Sequence, residues 1–275
     1  KGDKIKEEPI NAPRRARLES PGYKYDPNTL TFEELAKMKD KDGVPVKKLY
    51  LTVYNTALLR TEVFSAEHTP NALVSDAVRA SMSIPLFFEP VTIREAPDFT
   101  PRMIWENNQT PKPIYNMDGG ILDNYPIWIF DDLKYVLESY IPDFKPAKRM
   151  GFQNPYTLGF KLMDTETIKT YIEPYFDMNL ATKMKKINPG ERKETFAYYF
   201  ESMVKSMADA SQENEFIKRG HCSRTVYVDN LGVSAVAFSL KDKYREYLIQ
   251  SGRNSVLDYI GRYKRNFRFE GERYA

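Results

Sequence analysis

Short apolar runs with changing period divide this chain into elements. Residues 48–54 (KLYLTVY) are β-branched and aromatic, which predicts a buried strand. Residues 60–65 supply its partner, with Thr61, Val63 and Ser65 alternating with Glu62 and Phe64, and the short NTALL turn between the runs predicts a hairpin. Upstream, Thr31 and Glu34 in TFEELAKM have the capping-box spacing, so a helix is predicted there, broken by Asp42-Gly43. Residues 75–85 (SDAVRASMSIP) predict a second helix, capped by Ser75, with Asp76 in the first turn and Pro85 as the stop. Its Ala77, Ala80 and Ser81 make a small-residue face suited to close packing.

Further along, residues 90–94 predict a short edge strand. Residues 95–113, rich in Pro, Asn and Thr, predict a long loop, and Met103, Ile104 and Trp105 mark it as a candidate lid or interface segment. A strand at 114–117 leads into Asp118-Gly119-Gly120. A helix is then expected over 126–140 and a strand over 156–162. In 196–207, Phe196, Tyr199, Phe200, Met203, Val204 and Met207 recur at helical spacing, and Gly220 reads as a stop. Strands are expected at 224–228 and 233–238, and helices at 241–250 and 255–263. Strands alternating with helices predict an α/β architecture.

Composition changes this picture little. The 275 residues, 41% hydrophobic, suffice for a real core. A net charge of +3 does not identify a nucleic-acid binder and is compatible with anionic membranes. The single cysteine, Cys222, allows no internal disulfide and reads as a bystander. One Cys and two scattered His, without a ligand motif, predict no metal site. No apolar run approaches the ~20 residues of a membrane span.

The chemistry concentrates at Asp118. A carboxylate just past a strand end lies where α/β sheets build their sites, and it can act as a base or orient one. Its two glycines permit positive φ and close approach by another backbone. The triplet alone is weak evidence, since most such triplets are turns. Its surroundings are specific. The series KLYLTVY, SDAVRASMSIPLFFEPV and YNMDGGILDNYPI resembles the later half of the patatin-like phospholipase domain over residues 48–127, and residues 155–263 resemble its closing strands and helices.

That resemblance implies a three-layer α/β/α sandwich with a mixed, mainly parallel sheet, residues 1–275 forming the C-terminal part of the domain. It implies hydrolysis of membrane-lipid esters as a phospholipase A or acyl hydrolase. Asp118 matches the general base of the family's Ser–Asp dyad, and Gly119 and Gly120 match the glycines that let the aspartate loop approach the serine. Asp123, Asn124 and Pro126 match a structural turn, and Ser81 and Ser83 match packing positions. No cofactor is implied. The implied partners are a phospholipid or other lipid ester and a peripheral membrane surface, with an N-terminal segment or an activating protein left open, and no nucleic acid. Localisation would be cytoplasmic or peripheral membrane, with secretion as an effector left open.

The departure is the absence of Gly-x-Ser-x-Gly and of the glycine-rich oxyanion loop. In the family these precede the aspartate segment, so the chain reads as a fragment whose serine lies before Lys1. Two rivals stand beside this reading. One is a Ser–His–Asp hydrolase using His221 (the other histidine being His68). The second is a catalytically incomplete lipid- or protein-binding module, in which the tail residues Arg262, Lys264, Arg265 and Arg268, interleaved with Tyr263, Phe267 and Phe269, are either solvated or touch anionic headgroups.

Overall fold

A computed structural model describes residues 26, 28–105, 110–132, 134–135, 153–173, 219–233 and 240–273, the side chains of the last helix as far as 263. The chain divides into two compact units, residues 1–124 and 125–275.

In the first unit, helix α1 (Phe32–Lys37) opens as its sequence predicts. The Glu34 N–H donates to Thr31 Oγ1 at 3.2 Å, and the Thr31 N–H donates to the Glu34 carboxylate at 2.9 Å, closing the capping box. The helix ends before Met38, ahead of the expected break, and Asp42-Gly43 instead forms a turn with Gly43 at φ 78°. Strands β1 (Leu51–Asn55) and β2 (Arg60–Phe64) make the expected antiparallel hairpin, with Leu51 opposite Phe64 and Asn55 opposite Arg60. Buried Asn55 organises its loop: Oδ1 accepts the N–H groups of Ala57 and Leu58 at 3.0 and 2.9 Å, and Nδ2 donates to Glu62 at 2.8 Å.

Helix α2 (Val74–Ser81) packs Ala77 and Ala80, both fully buried, into a core with Phe32, Val53, Phe64, Val91 and Ile93. Small side chains there let the helix backbone lie close to the sheet. Its start differs from the sequence reading. Leu73, not Ser75, is the N-cap, because the N–H groups of Leu73 and Val74 are taken by the Arg94 and Leu30 carbonyls. The helix stops at Ser81, well before Pro85. Asp76 does more than favour the first turn. It accepts Arg94 Nε at 2.8 Å, Arg94 Nη2 at 2.9 Å and the Arg94 backbone N–H at 3.1 Å, pinning the helix to the strand edge. The Arg94 side chain is 42% exposed, so water screens part of this pair. Asp76→Ala is expected to cost about 1–2 kcal/mol, read as a lower urea midpoint at unchanged m-value.

Strand β3 (Val91–Thr92) lies at the sheet edge, as expected of residues 90–94. Residues 95–113 are not a structureless loop. Strands β4 (Arg94–Glu95) and β5 (Thr100–Pro101) pair, as do β6 (Met103–Ile104) and β7 (Lys112–Pro113), leaving Trp105 74% exposed. Arg102 ties this region to the sheet through Glu62 and Glu95, each at 3.1 Å, with its guanidinium over the Phe64 ring.

Strand β8 (Tyr115–Asp118) completes a four-stranded sheet in the order β2-β1-β8-β3. Every pairing in it is antiparallel, contrary to the expected mainly parallel sheet. The hairpin explains part of this: its loop of residues 56–59 is too short for the dozen or more residues a parallel crossover needs.

The second unit carries a parallel pair, β9 (Gly159–Met163) and β10 (Thr225–Asp229), in the register Gly159–Thr225 to Met163–Asp229. Here the connection is long enough for a crossover, and helical turns at Thr165–Thr167 and Ile168–Ile172 follow β9. The helix expected over 126–140 begins as a 3-10 turn, Ile127–Phe130. Gly220 lies inside a short helix, Arg219–Cys222, rather than ending one. Residues 241–250 and 255–263 form not two helices but one, α3 (Asp242–Arg273), continuous through Gly252. The stripe at 196–207 and the strand expected at 233–238 lie outside the described residues, apart from Val233.

Candidate active site

Asp118 is the last residue of β8, opposite Val53 of β1. The chain then enters a 3-10 turn, Gly119–Ile121, so the carboxylate stands at the carboxyl end of a strand. Its backbone is tethered from the helix side: the Asp118 N–H donates to the Ser83 carbonyl at 3.0 Å. Ser83 is itself fixed, 2% exposed, with Oγ donating to the Arg79 carbonyl at 2.6 Å. Two residues before Asp118, buried Asn116 donates from Nδ2 to the carbonyls of Val91 and Ile114, at 3.1 and 3.2 Å. These contacts hold β8 against the edge strand.

The Asp118 side chain caps its own turn. The Gly120 N–H donates to Oδ1 at 2.8 Å. Burial raises the carboxyl pKa above its ordinary 3.8, and the Gly120 N–H opposes that by stabilising the anion. The group is thus partly desolvated, held by one fixed hydrogen bond, and more basic than a surface carboxylate. These are the properties of a carboxylate poised to take a proton.

The glycines serve one of their two expected roles. Neither adopts a positive φ. Gly119 is required by space: a Cβ there would lie against the Thr52 carbonyl oxygen, 2.5 Å from its carbonyl carbon and 2.7 Å from Thr52 Oγ1. The close approach is therefore to the backbone of β1. At Gly120 the nearest atoms a Cβ would meet are all in side chains, Asn124 Oδ1 at 3.0 Å, Asp118 Oδ1 at 3.1 Å and Asn124 Cγ at 3.5 Å. The Asp123 N–H donates to the Gly119 carbonyl at 3.0 Å, which makes the following residues part of the turn.

Both histidines have other neighbours. His68 Nδ1 is 2.8 Å from Ser65 Oγ, and Ser65 is buried within a turn, where it accepts the N–H groups of Glu67 and His68. His221 Nε2 lies 3.7 Å from Asp131, whose carboxylate is held by Arg224. Cys222 is buried. Sequence reasoning missed the Ser83 carbonyl, Asn116 and Thr52. The first and last act through backbone atoms, which no side-chain pattern reveals.

Residues 17–131 match the patatin-like phospholipase family, a span that contains the motif series above and all of the Asp118 turn. An uncharacterized protein, R571, of Acanthamoeba polyphaga mimivirus is 27% identical over 215 residues, covering 78% of this chain and 54% of that protein. The chain thus spans about half the length of that relative. No solved structure matches the chain at a significant level. The family match extends the resemblance read from the motifs upstream to residue 17.

Proposed function

We propose that this chain supplies the aspartate half of a phospholipase A or lipid acyl hydrolase, with Asp118 as general base. The observation that carries the reading is the Asp118 carboxylate itself: strand-terminal, half-buried, raised in pKa, and inside the matched span. The serine and the oxyanion donors would come from sequence outside these 275 residues, since no Gly-x-Ser-x-Gly occurs in them. Asp118 would draw the proton from the serine hydroxyl as its oxygen attacks the ester carbonyl. It would then return that proton to the leaving alcohol, giving an acyl-serine. Water, deprotonated by the same carboxylate, would release the fatty acid. The chemistry calls for no cofactor. The proposal includes the finer architecture, a three-layer α/β/α sandwich, and a peripheral encounter with the membrane that holds the substrate.

Acid titration tests it. A base must be ionised to work, and burial raises the pKa of Asp118. In the serine-containing enzyme, kcat/KM on a soluble ester should therefore fall as pH drops through a single limb lying above 3.8. A limb at or below 3.8, or none, would remove Asp118 as the base.

A further inference from the structure

The segment that holds the Asp118 backbone leaves large apolar side chains in solvent. It follows α2, and its Ser83 carbonyl receives the Asp118 N–H at 3.0 Å. Residues 80–88 (ASMSIPLFF) carry no charge, and the exposed residues that bound them, Arg79 and Glu89, have opposite signs. Beyond Ser83 the chain closes a turn, in which the N–H groups of Phe87 and Phe88 both donate to the Ile84 carbonyl, at 3.2 and 3.0 Å. That turn presents Leu86, 64% exposed, with Met82 before it and Phe88 after it exposed as well. The turn that follows Asp118 is polar by contrast, with Asp123 and exposed Asn124.

Leu86 is also held in an unusual backbone conformation. Its φ is 67°, the left-handed region that glycine enters freely and a bulky side chain enters at a cost. Residues kept there cluster at active sites and ligand contacts. Leu59, Phe99 and Leu231 share the conformation, but only Leu86 belongs to the segment bonded to Asp118. An apolar side chain held out in water by a costly conformation gains only when something apolar meets it.

The reaction indicates what that is. In a fatty-acid ester attacked by a serine that Asp118 activates, the reacting carbonyl lies close to the carboxylate. The acyl chain begins at that carbonyl and is apolar and uncharged, as residues 84–88 are. Small-molecule sites combine an apolar wall with a few fixed polar groups, and Asp118 beside this turn has that composition.

We propose that Met82, Leu86 and Phe88 form the acyl-chain contact of the Asp118 site, with Leu86 setting the chain-length preference. This rests on the reading of Asp118 as the base of an ester hydrolase, and it names the part of the substrate that is bound beside it.

The test compares p-nitrophenyl acetate with p-nitrophenyl octanoate, kept below micelle formation, as substrates of the serine-containing enzyme. The wild type should prefer the octanoate in kcat/KM. Leu86→Gly suits the backbone conformation and removes only the side chain. It is expected to lower the octanoate-to-acetate ratio of kcat/KM about 10-fold. Leu59→Gly, at φ 51° and exposed in the β1–β2 loop, should leave that ratio unchanged. A wild type without octanoate preference, an unchanged ratio in Leu86→Gly, or an equal loss on both esters overturns the proposal. So does a melting temperature lowered in Leu86→Gly by more than about 5 °C, since protein such as the serine-bearing segment would then cover Leu86. Asp118→Asn reads the other claim. If that variant hydrolyses both esters as well as the wild type does, the base is misassigned, whatever the Leu86 ratio shows.

Discussion

Asp118→Asn is expected to lower ester hydrolysis by the serine-containing enzyme by about 10^3-fold or more, while the protein becomes slightly more stable at neutral pH. The two effects share a cause. Asparagine keeps the shape of the side chain and an oxygen to accept the Gly120 N–H, now 2.8 Å from Oδ1. It cannot take a proton from a hydroxyl. Meanwhile burial raises the Asp118 pKa, so the folded state binds this proton more tightly than the unfolded state does. The sign follows from linkage: stability contributed by the protonated group is present below the unfolded pKa and is lost as pH rises through the raised folded value. At neutral pH the wild type carries that cost in full and the asparagine variant does not. A stable, inactive Asp118→Asn protein would match a functional group kept at the expense of stability. If the variant were destabilised and only mildly less active, Asp118 would be a structural turn residue.

Gly119→Ala should produce the largest loss of stability, about 3 kcal/mol, at the upper end of the cost of overpacking. The reason is what the added methyl would strike. Its neighbours are the carbonyl carbon of Thr52 at 2.5 Å and the attached oxygen, both in the backbone of β1 and unable to swing aside. Relief requires β8 to move away from β1, across the pairing in which Asp118 lies opposite Val53. The melting temperature should fall by roughly 5–10 °C, and activity should fall with it because the carboxylate rides on the displaced turn. Gly120→Ala is the comparison. Its methyl would press on the side-chain oxygens of Asn124 and Asp118, which can shift, so stability should suffer less. Equal melting temperatures for Gly119→Ala and the wild type would show that the turn does not depend on this contact.

Features encoded by neighbouring residues were legible in the sequence. Thr31 and Glu34 announce their helix because both arms of the capping box join residues three apart. The β1–β2 hairpin follows from two β-rich runs and a short turn, and the small face of Ala77 and Ala80 is indeed the buried one. Features decided by distant partners were not. Leu73 caps α2 because the Arg94 carbonyl, many residues away, receives its N–H. Residues 241–250 and 255–263 read as two helices, but the glycine between them, Gly252, costs a continuous helix only about 1 kcal/mol, which the contacts of Ser251 and Ser255 can offset. Strand direction in the β2-β1-β8-β3 sheet depends on pairings that local patterns do not record.

The site divides in the same way. Asp118 stood out through its motif, and the structure adds what the motif could not contain: the burial that raises its pKa and the Ser83 carbonyl that holds its backbone. For the glycines, the general rule suggested two uses, and only the close approach is realised at Gly119. The polar inward side of α3 was also hidden. Its apolar residues look like a core face until Ser251 and Arg262 are seen to occupy the inward side.

The most direct measurement is active-site labelling with a fluorophosphonate, read by intact mass and peptide mapping, on the serine-containing enzyme and its Asp118→Asn variant. The account predicts one label on a serine outside these 275 residues, formed rapidly in the wild type and at least about 100-fold more slowly in the variant. Labelling at the same rate in both, or on a serine of this chain, would contradict it.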